Sequence, residues 1–255
     1  MSSFAPLDYM AFAIDIAREA GAATLPYFRS GVDVERKPDD SPVTRADREA
    51  ERLLRDRISA RFPDHGILGE ELGESSSAGR RRWILDPIDG TQSFIRGVPL
   101  YGVLVGFEVD SRMTVGVAYF PALDEMVNAA VGEGCWWNGD RARVSSTACL
   151  AQATVAYTNA ADLDRLRGPA WRRLQDATRI QRGWGDCYGH CLVATGRADV
   201  ALDPIMNVWD CAALLPILTE AGGTFTDWSG RPGIDGGHAI STNGHLLKDV
   251  LKTID

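Results

Sequence analysis

The chain contains 255 residues, of which 45% are hydrophobic and 24% are charged. This length predicts one large domain or two small ones packed together, and the composition excludes disordered, collagen-like and low-complexity proteins. Acidic residues outnumber basic ones by 35 to 27, which gives a net charge of −8. A uniformly basic surface is therefore disfavoured, and we expect no nucleic-acid partner.

The five cysteines are scattered and odd in number, which predicts reduced thiols in a cytoplasmic protein and no disulfide framework. The first twenty residues contain Asp8, Asp15, Arg18 and Glu19, which interrupt any signal-peptide core. No apolar run approaches the roughly 18–20 residues that a membrane span needs. We therefore expect no membrane partner.

The chain begins with an amphipathic pattern over residues 7–28, which predicts a helix that Pro26 ends or kinks. The charged segment 31–42 predicts a surface loop or hairpin. A second helix is predicted to start near Thr44, because Thr44 and Asp47 match the T-x-x-D capping pattern.

Short apolar segments then alternate with turn residues in the first half, and strands alternate with helices in the second. The predicted strands are 66–68, 83–85, 102–108, 114–120, 126–131, 154–157, 198–202, 223–227 and 238–241. The predicted later helices are 163–177, 186–195, 208–221 and 245–253. An antiparallel, strand-rich first half before an α/β second half predicts two packed sub-domains, 1–148 and 149–255.

The strongest local motif follows a hydrophobic strand, where Asp86 and Asp89 enter a predicted loop. Gly90 and Thr91 come next, at the start of a predicted helix whose first amides form an anion site. Carboxylates beside such amides are suited to hard divalent cations that bridge to a phosphate. An Asp-Pro turn followed by a helix cap is the alternative reading.

Two further carboxylates end or begin separate elements. Glu70 follows the strand at 66–68, and Asp210 lies at the start of a helix, where a capping role is the alternative. Glu71 is predicted to be a solvated neighbour. Four carboxylates at the ends of separate elements exceed what capping requires, so together they predict a divalent metal site.

The sequence resembles the inositol monophosphatase family of magnesium-dependent phosphatases over nearly its whole length. The segments that carry the resemblance are 43–47, 69–71, 83–91 with Phe94 and Gly97, 209–210, and 220–223. The resemblance implies the layered αβαβα fold of sugar phosphatases, an α/β (α+β) architecture of two sub-domains with the active site between them.

The resemblance also implies roles for individual residues. The implied metal ligands are Glu70, Asp86, Asp89, Asp210 and the backbone carbonyl of Ile88. The implied catalytic residues are Asp47, Thr91 and, through a metal, Glu70; the amides of Gly90 and Thr91 would hold the phosphate. Two or three Mg²⁺ ions, replaceable by Mn²⁺, would activate water for attack on a small phosphate monoester. The resemblance further implies a homodimer.

Substrate choice depends on segments 184–188, 192–199 and 203–210, which resemble the histidinol-phosphate phosphatase branch. Acidic side chains at Asp186 and Asp203 would complement a cationic organic group, with Asp89 and Asn207 beside them, although Asp186 could instead cap a helix. An inositol-1-phosphate or broad sugar-phosphate phosphatase is the alternative enzyme. A non-catalytic regulatory protein on the same fold is the alternative of another class.

Two residues near these motifs are predicted to lie outside the chemistry. His190 is predicted to be a packed or surface histidine, and Lys37 a solvated lysine. Whether the 31–42 segment closes over a substrate is left open by the sequence.

Overall fold

The computed structural model of the protein describes residues 5–38, 40–75 and 79–255. Its helices are α1 (Pro6–Thr24), α2 (Arg45–Arg61), α3 (Thr91–Ile95), α4 (Ala160–Ala177), α5 (Asp186–Ala194), α6 (Val208–Ala212), α7 (Leu214–Glu220) and α8 (Leu247–Ile254). Its strands are β1 (Val34–Arg36), β2 (Pro42–Thr44), β3 (Gly66–Gly69), β4 (Gly73–Ser75), β5 (Arg81–Asp89), β6 (Gly102–Val109), β7 (Arg112–Phe120), β8 (Glu125–Ala130), β9 (Gly134–Trp137), β10 (Asp140–Arg141), β11 (Thr154–Tyr157), β12 (Ile180–Arg182), β13 (Val200–Asp203), β14 (Thr224–Thr226) and β15 (Ala239–Thr242).

The second helix starts where the capping pattern predicts. The Thr44 side chain accepts a hydrogen bond from the backbone of α2, and Asp47 accepts one from the Thr44 backbone N–H, so a capping box is formed. The first helix ends at Thr24, ahead of Pro26, because proline lacks the N–H that a continuing helix needs.

The larger sheet has eight strands in the order β10-β9-β8-β7-β6-β5-β3-β4. Its neighbours are antiparallel except β3 and β5, which are parallel and aligned from Gly66 against Arg82 to Gly69 against Leu85. The smaller sheet has the order β12-β11-β13-β15-β14, and β11 is parallel to both of its neighbours. Parallel neighbours end at the same edge of a sheet, which matters for the site below.

The layers alternate helix and sheet. Helices α1 and α2 cover one face of the large sheet around a core that contains Trp83 and Phe107, and α5, α6 and α7 cover its other face. The middle helices also meet the small sheet, whose far face is covered by α4 and α8. Each fully buried large apolar side chain contributes roughly 1.5–3 kcal/mol. The predicted αβαβα layering is confirmed.

Several local predictions need correction. The helix predicted over 208–221 is two helices, α6 and α7, because Pro216 has no N–H to donate to the carbonyl of Ala212. The first half is not wholly antiparallel, since β3 and β5 are parallel. Strands β4, β9, β10 and β12 were not predicted; they are short, and β4, β10 and β12 are edge strands.

Of the two structures predicted for the charged segment 31–42, a loop or a hairpin, the hairpin is observed, with β1 paired to β2. Asp39 lies outside the described residues. The large sheet is built from residues up to Arg141 and the small sheet from Thr154 onward. A sub-domain boundary near residue 148 stays a prediction. Among the helices that the structure describes, none is long and apolar enough to cross a membrane.

Candidate active site

Acidic side chains gather where β3 and β5 end side by side. Glu70 directly follows β3, and its backbone N–H donates to the carbonyl of Leu85 in β5 at 3.2 Å. Asp86 and Asp89 lie in the last part of β5. Because the two strands are parallel neighbours, all three carboxylates are delivered to one edge of the sheet.

Asp86 and Asp89 lie in an irregular strand end and not in the predicted loop. The pairing of β5 with β6 shifts register between these two residues, where Pro87 has no N–H for the ladder. The backbone N–H of Ile88 donates to Asp86 Oδ1 at 3.0 Å. This hydrogen bond fixes a carboxylate that is only 1% exposed.

Asp210 reaches the same place from the first turn of α6. Its Oδ2 accepts the backbone N–H of Asn207 at 2.7 Å, so the capping role is real, but it uses one oxygen only. Oxygens of Asp86, Asp89 and Asp210 lie within 4.8 Å of one another. We call these three residues the carboxylate cluster.

Burial and mutual repulsion make the ionised cluster unfavourable in the protein alone. Desolvation raises the pKa of Asp86, and the charges of Glu70, Asp89 and Asp210 raise it further. Desolvation followed by the charges of Asp186 and Asp210 raises the pKa of Asp89, and desolvation raises the pKa of Asp210 to about 7. Carboxylates in this state favour a bound cation.

Asp47 carries one carboxylate oxygen that is hydrogen-bonded and one that is not. Its Oδ2 accepts hydrogen bonds from the backbone N–H and the hydroxyl of Thr44, at 2.8 and 2.6 Å. Its Oδ1 is buried and has no hydrogen-bond partner in the described part of the chain. Desolvation raises the pKa of Asp47 to about 6. A buried acceptor without a partner is costly, which indicates that a water or ligand belongs there.

Lys37 is not a solvated lysine, and that prediction is wrong. Its ammonium group lies 2.7 Å from Glu70 Oε1 and 2.6 Å from Glu71 Oε1. Glu71 is likewise not solvated, because its side chain is only 5% exposed. The β1–β2 hairpin therefore lies against the acidic edge, since the turn that follows β1 carries this cation to Glu70.

Glu51, which the sequence reasoning did not identify, supports this edge from α2. Its buried carboxylate accepts the backbone N–H groups of Glu71 and Leu72, at 2.7 and 3.2 Å. A Cβ on Gly69 would clash with that carboxylate, so the chain needs glycine there. The available signal was an acidic residue one turn after Asp47, beside the buried stripe of α2.

The turn before α3 presents backbone next to the cluster. Gly90 has a φ of 82°, and a Cβ there would lie 3.0 Å from the carbonyl of Leu100 and 3.1 Å from Asp186 Oδ2. Only glycine adopts this conformation with so little room. The Thr91 hydroxyl donates to the carbonyl of Ile88 at 3.0 Å. The first amides of α3 have no partner within the helix.

Helix α5 brings the second half of the chain to the carboxylate cluster, and we call the region between this cluster and the first turn of α5 the cleft. The backbone N–H of Cys187 donates to Asp89 Oδ2 at 2.6 Å, a contact across 98 positions of sequence. Asp186 is the first residue of α5 and not its N-cap, which is Gly185. Its φ of 54° lies in the left-handed region that non-glycine residues rarely adopt.

Asp186 and Asp203 are connected by one hydroxyl group. The backbone N–H of Asp186 donates to Thr158 Oγ1 at 2.8 Å, and this hydroxyl donates to Asp203 Oδ2 at 2.7 Å. Desolvation raises the pKa of Asp186 to about 6 and that of Asp203 to about 7. We call Asp186 and Asp203 the acidic pair. Asn207 is exposed nearby and uses its backbone to cap α6.

His190 is packed, as predicted. It is buried, and its Nδ1 lies 2.7 Å from the hydroxyl of Ser241. Desolvation lowers its pKa to about 4, so the ring is neutral at physiological pH. All five cysteines are free thiols, and Cys149 is the exposed one.

The donor set suits a hard divalent cation. It consists of carboxylate oxygens and the Ile88 carbonyl, which retains a lone pair after accepting from Thr91. Mg²⁺ and Mn²⁺ prefer such oxygen ligands, and nitrogen or sulfur ligands would be expected for softer metals. The open oxygen of Asp47, a carboxyl group whose pKa the nearby charge of Glu70 helps to raise, is consistent with the same interpretation.

Comparison with known proteins decides the family. The model of the inositol monophosphatase family matches residues 7–254. The chain belongs to this family. A histidinol-phosphatase of Chlorobaculum parvum is 49% identical over 248 residues, 95% of each chain. A histidinol-phosphatase of Mycobacterium tuberculosis is 40% identical over 231 residues, which are 87% of this chain and 88% of that protein.

The fold agrees with that assignment. The solved structure of an IMPase from Thermotoga maritima superposes with a TM-score of 0.89 at 34% identity, covering 97% of this chain and 96% of that one. This family member is therefore an enzyme, a phosphatase. The family resemblance and the αβαβα fold predicted from the sequence are both confirmed.

Proposed function

We propose that this phosphatase is a Mg²⁺-dependent enzyme that hydrolyses L-histidinol phosphate to L-histidinol, a step of histidine biosynthesis. The observation that carries the proposal is the adjacency of two acidic groups with different surroundings. Carboxylate oxygens of the three cluster residues lie within 4.8 Å of one another. The acidic pair is adjacent, since Asp186 Oδ2 is 3.1 Å from the position that a Cβ would take on Gly90. The first group suits metal ions and the second suits an organic cation.

The proposed metal ligands are those named from the resemblance: Glu70, Asp86, Ile88 through its carbonyl, Asp89 and Asp210. Two or three Mg²⁺ ions, or Mn²⁺ in their place, would supply Lewis-acid stabilisation of the phosphate and a water of lowered pKa. The ammonium of Lys37 contacts Oε1 of Glu70 at 2.7 Å, so the second carboxylate oxygen, Oε2, is left for a metal ion.

Asp47 and Thr91 are proposed to orient the attacking water. The Thr91 hydroxyl donates a hydrogen bond to the Ile88 carbonyl, so its oxygen can still accept one from a water. Asp47 Oδ1 is a second free acceptor. Two acceptors would hold both protons of one water and direct its lone pair away from themselves, toward phosphorus. The amides of Gly90 and Thr91 are proposed to hold the phosphate oxygens.

The acidic pair is proposed to select the organic part of the substrate. Histidinol phosphate carries an ammonium group near its phosphate, whereas inositol phosphate presents hydroxyl groups. The charge of Asp186 raises the pKa of both Asp203 and Asp89, so Asp89 is shared between the two acidic groups, and Asn207 is exposed. The two curated relatives described above are both named histidinol-phosphatase, which supports the same choice.

The deciding experiment compares turnover of L-histidinol phosphate and myo-inositol 1-phosphate at matched Mg²⁺. We expect a preference of more than about tenfold in kcat/KM for histidinol phosphate, and no turnover after chelation of the metal. A preference of similar size for inositol phosphate would reassign the enzyme to the alternative, which the structural match to an IMPase favours. Absence of turnover on either ester would favour the regulatory alternative.

We further propose a cytoplasmic homodimer. The family resemblance supports the dimer, and the five free thiols support a reducing compartment. Light scattering on the purified protein tests the dimer, since a monomeric mass would contradict it.

A further inference from the structure

We propose that Trp184 is a specificity residue of this site, and that its exposed ring stacks on the imidazole ring of the substrate. This inference rests on the proposed function and extends it to a residue that the resemblance does not assign. It starts from the surroundings of the acidic pair and from one unusually placed tryptophan.

Trp184 differs from the other tryptophans of the chain. The sequence contains seven, all of them described, and Trp184 alone is exposed, at 39%. Its ring makes no aromatic contact with any residue in the described ranges. Large aromatic side chains are enriched at binding surfaces, because they offer a wide apolar area at a small cost in conformational entropy.

The backbone of Trp184 is held firmly although its side chain is free. A Cβ on Gly185 would clash with the backbone of Thr158, and a Cβ on Gly189 would clash with the carbonyl of Trp184. Two glycines that follow Trp184 therefore let the chain pack closely against Thr158 and against the Trp184 carbonyl. A fixed backbone beneath an exposed ring is the arrangement of a preorganised contact surface.

Trp184 lies close to the acidic pair along the chain. It precedes Asp186 by two residues, and the extended Gly185 between them, with φ of −93° and ψ of −162°, sets their Cα atoms about 6–7 Å apart. Asp186 directs its carboxylate to the Gly90 turn, at 3.1 Å from the Cβ position there. A large exposed ring that begins this close to Asp186 is within reach of an organic group bound beside that carboxylate.

A second exposed apolar side chain borders the acidic pair from the other strand. Ile205 is 52% exposed, and its backbone N–H donates to Asp203 Oδ1 at 3.4 Å. Trp184 and Ile205 thus each lie two residues from one member of the pair that Thr158 connects. The two acids are more buried than the apolar side chains next to them in the chain, so the apolar groups are the outer ones.

This order matches the order of groups in histidinol phosphate. The phosphate would lie on the Gly90 turn, the ammonium next to Asp186, and the ring, which begins two bonds from the carbon that bears the ammonium, beside Trp184. A second copy of this chain could also cover an exposed tryptophan. The acidic pair favours the substrate, because it supplies charge complementarity for a small organic cation with an aromatic end.

The test uses two phosphate esters that differ only in the ring. L-Histidinol phosphate carries the ring, and L-alaninol phosphate has the same phosphate and ammonium without it. For Trp184→Ala we expect about a 3- to 10-fold loss of kcat/KM on histidinol phosphate, mainly through KM, and less than about a twofold change on alaninol phosphate. Trp184→Phe should retain most of the ring selectivity.

Binding supplies a readout apart from turnover. Measured by calorimetry, the Trp184→Ala variant should bind L-histidinol about 3- to 10-fold more weakly than the wild type and should bind inorganic phosphate with unchanged affinity. Leu166→Ala, which truncates an exposed apolar side chain on α4, is the matched control and should change neither.

Equal losses on both esters, or no loss on either, would overturn the inference. A change of solution mass in Trp184→Ala with loss on both esters would also overturn it, since the ring would then belong to an interface. The proposed function fails separately: the wild-type protein would then prefer inositol phosphate, whereas the comparison of the two amine esters still reports on Trp184.

Discussion

The carboxylate cluster and the acidic pair lie in one cleft, yet they are built differently. Asp86, Asp89 and Asp210 face one another within 4.8 Å, so their charges repel directly. Asp186 and Asp203 are connected through the hydroxyl of Thr158. Uncompensated carboxylates at short range favour a divalent ion. We expect the acidic pair, in which the charge of Asp186 also raises the pKa of Asp203, to favour a single organic cation.

This difference separates the chemistry of the reaction from the choice of substrate. The cluster is held by the strand end of β5 and by the first turn of α6, which are parts of the folded core. The pair depends on a left-handed residue at the start of α5 and on one hydroxyl group that joins it to the end of β13. Damage to the first group should therefore abolish turnover, and damage to the second should alter preference.

The largest effect is expected at Asp86. Asp86→Asn removes a charge from the centre of the cluster but keeps an acceptor for the Ile88 N–H, so the fold should remain. We expect turnover on every phosphate ester to fall at least about a thousandfold, because transition-state charge loses its main stabilisation. Steady-state kinetics measures turnover and circular dichroism measures retention of the fold. Asp64→Asn, at an exposed position, is the control. Turnover near the wild-type level in folded protein would remove Asp86 from the mechanism.

A smaller and selective effect is expected at Asp186. Asp186→Asn keeps a residue that tolerates a positive φ and removes only the charge. We expect KM for L-histidinol phosphate to rise about 10- to 30-fold, with little change for myo-inositol 1-phosphate. Because Asp186 also raises the pKa of Asp89, the Mg²⁺ dependence of the variant has to be measured alongside. Equal losses on both esters would show that the pair does not select substrate.

The smallest effect concerns stability without metal. The pKa of Asp210 is raised from 3.8 to about 7 in the folded protein, so the folded state binds this proton more tightly than the unfolded state. Stability should therefore fall as pH rises from about 4 toward 7. Asp210→Asn keeps the capping acceptor and removes the charge, which should raise the metal-free Tm at pH 8 by roughly 3–8 °C.

Calorimetry in chelator and in Mg²⁺ tests this expectation. Mg²⁺ should raise the Tm of the wild-type protein at pH 8, and should raise that of Asp210→Asn less, because the variant has lost a ligand. A lower metal-free Tm for Asp210→Asn than for the wild type at pH 8 would contradict the repulsion argued for the cluster.

Much of the fold and part of the cleft could be predicted from local sequence. A carboxylate at or next to the end of an apolar strand is visible at Glu70 and at Asp86, and the capping box at Thr44 and Asp47 is a four-residue pattern. The split of α6 from α7 at Pro216 was missed although its signal is local. Glu51 was missed because a buried acid on a helix resembles an ordinary surface residue until its partners are known.

Sequence alone determined which acidic residues lie at the ends of strands and helices, because hydrophobic periodicity, helix capping and turn-forming residues each depend on a few neighbouring positions. Only the tertiary structure decided which of them meet: Cys187 with Asp89, Lys37 with Glu70, and Asp47 with one oxygen left open. These contacts join positions far apart in the chain, and their energies depend on burial and on distances that exist only once the two sheets and their helices have packed.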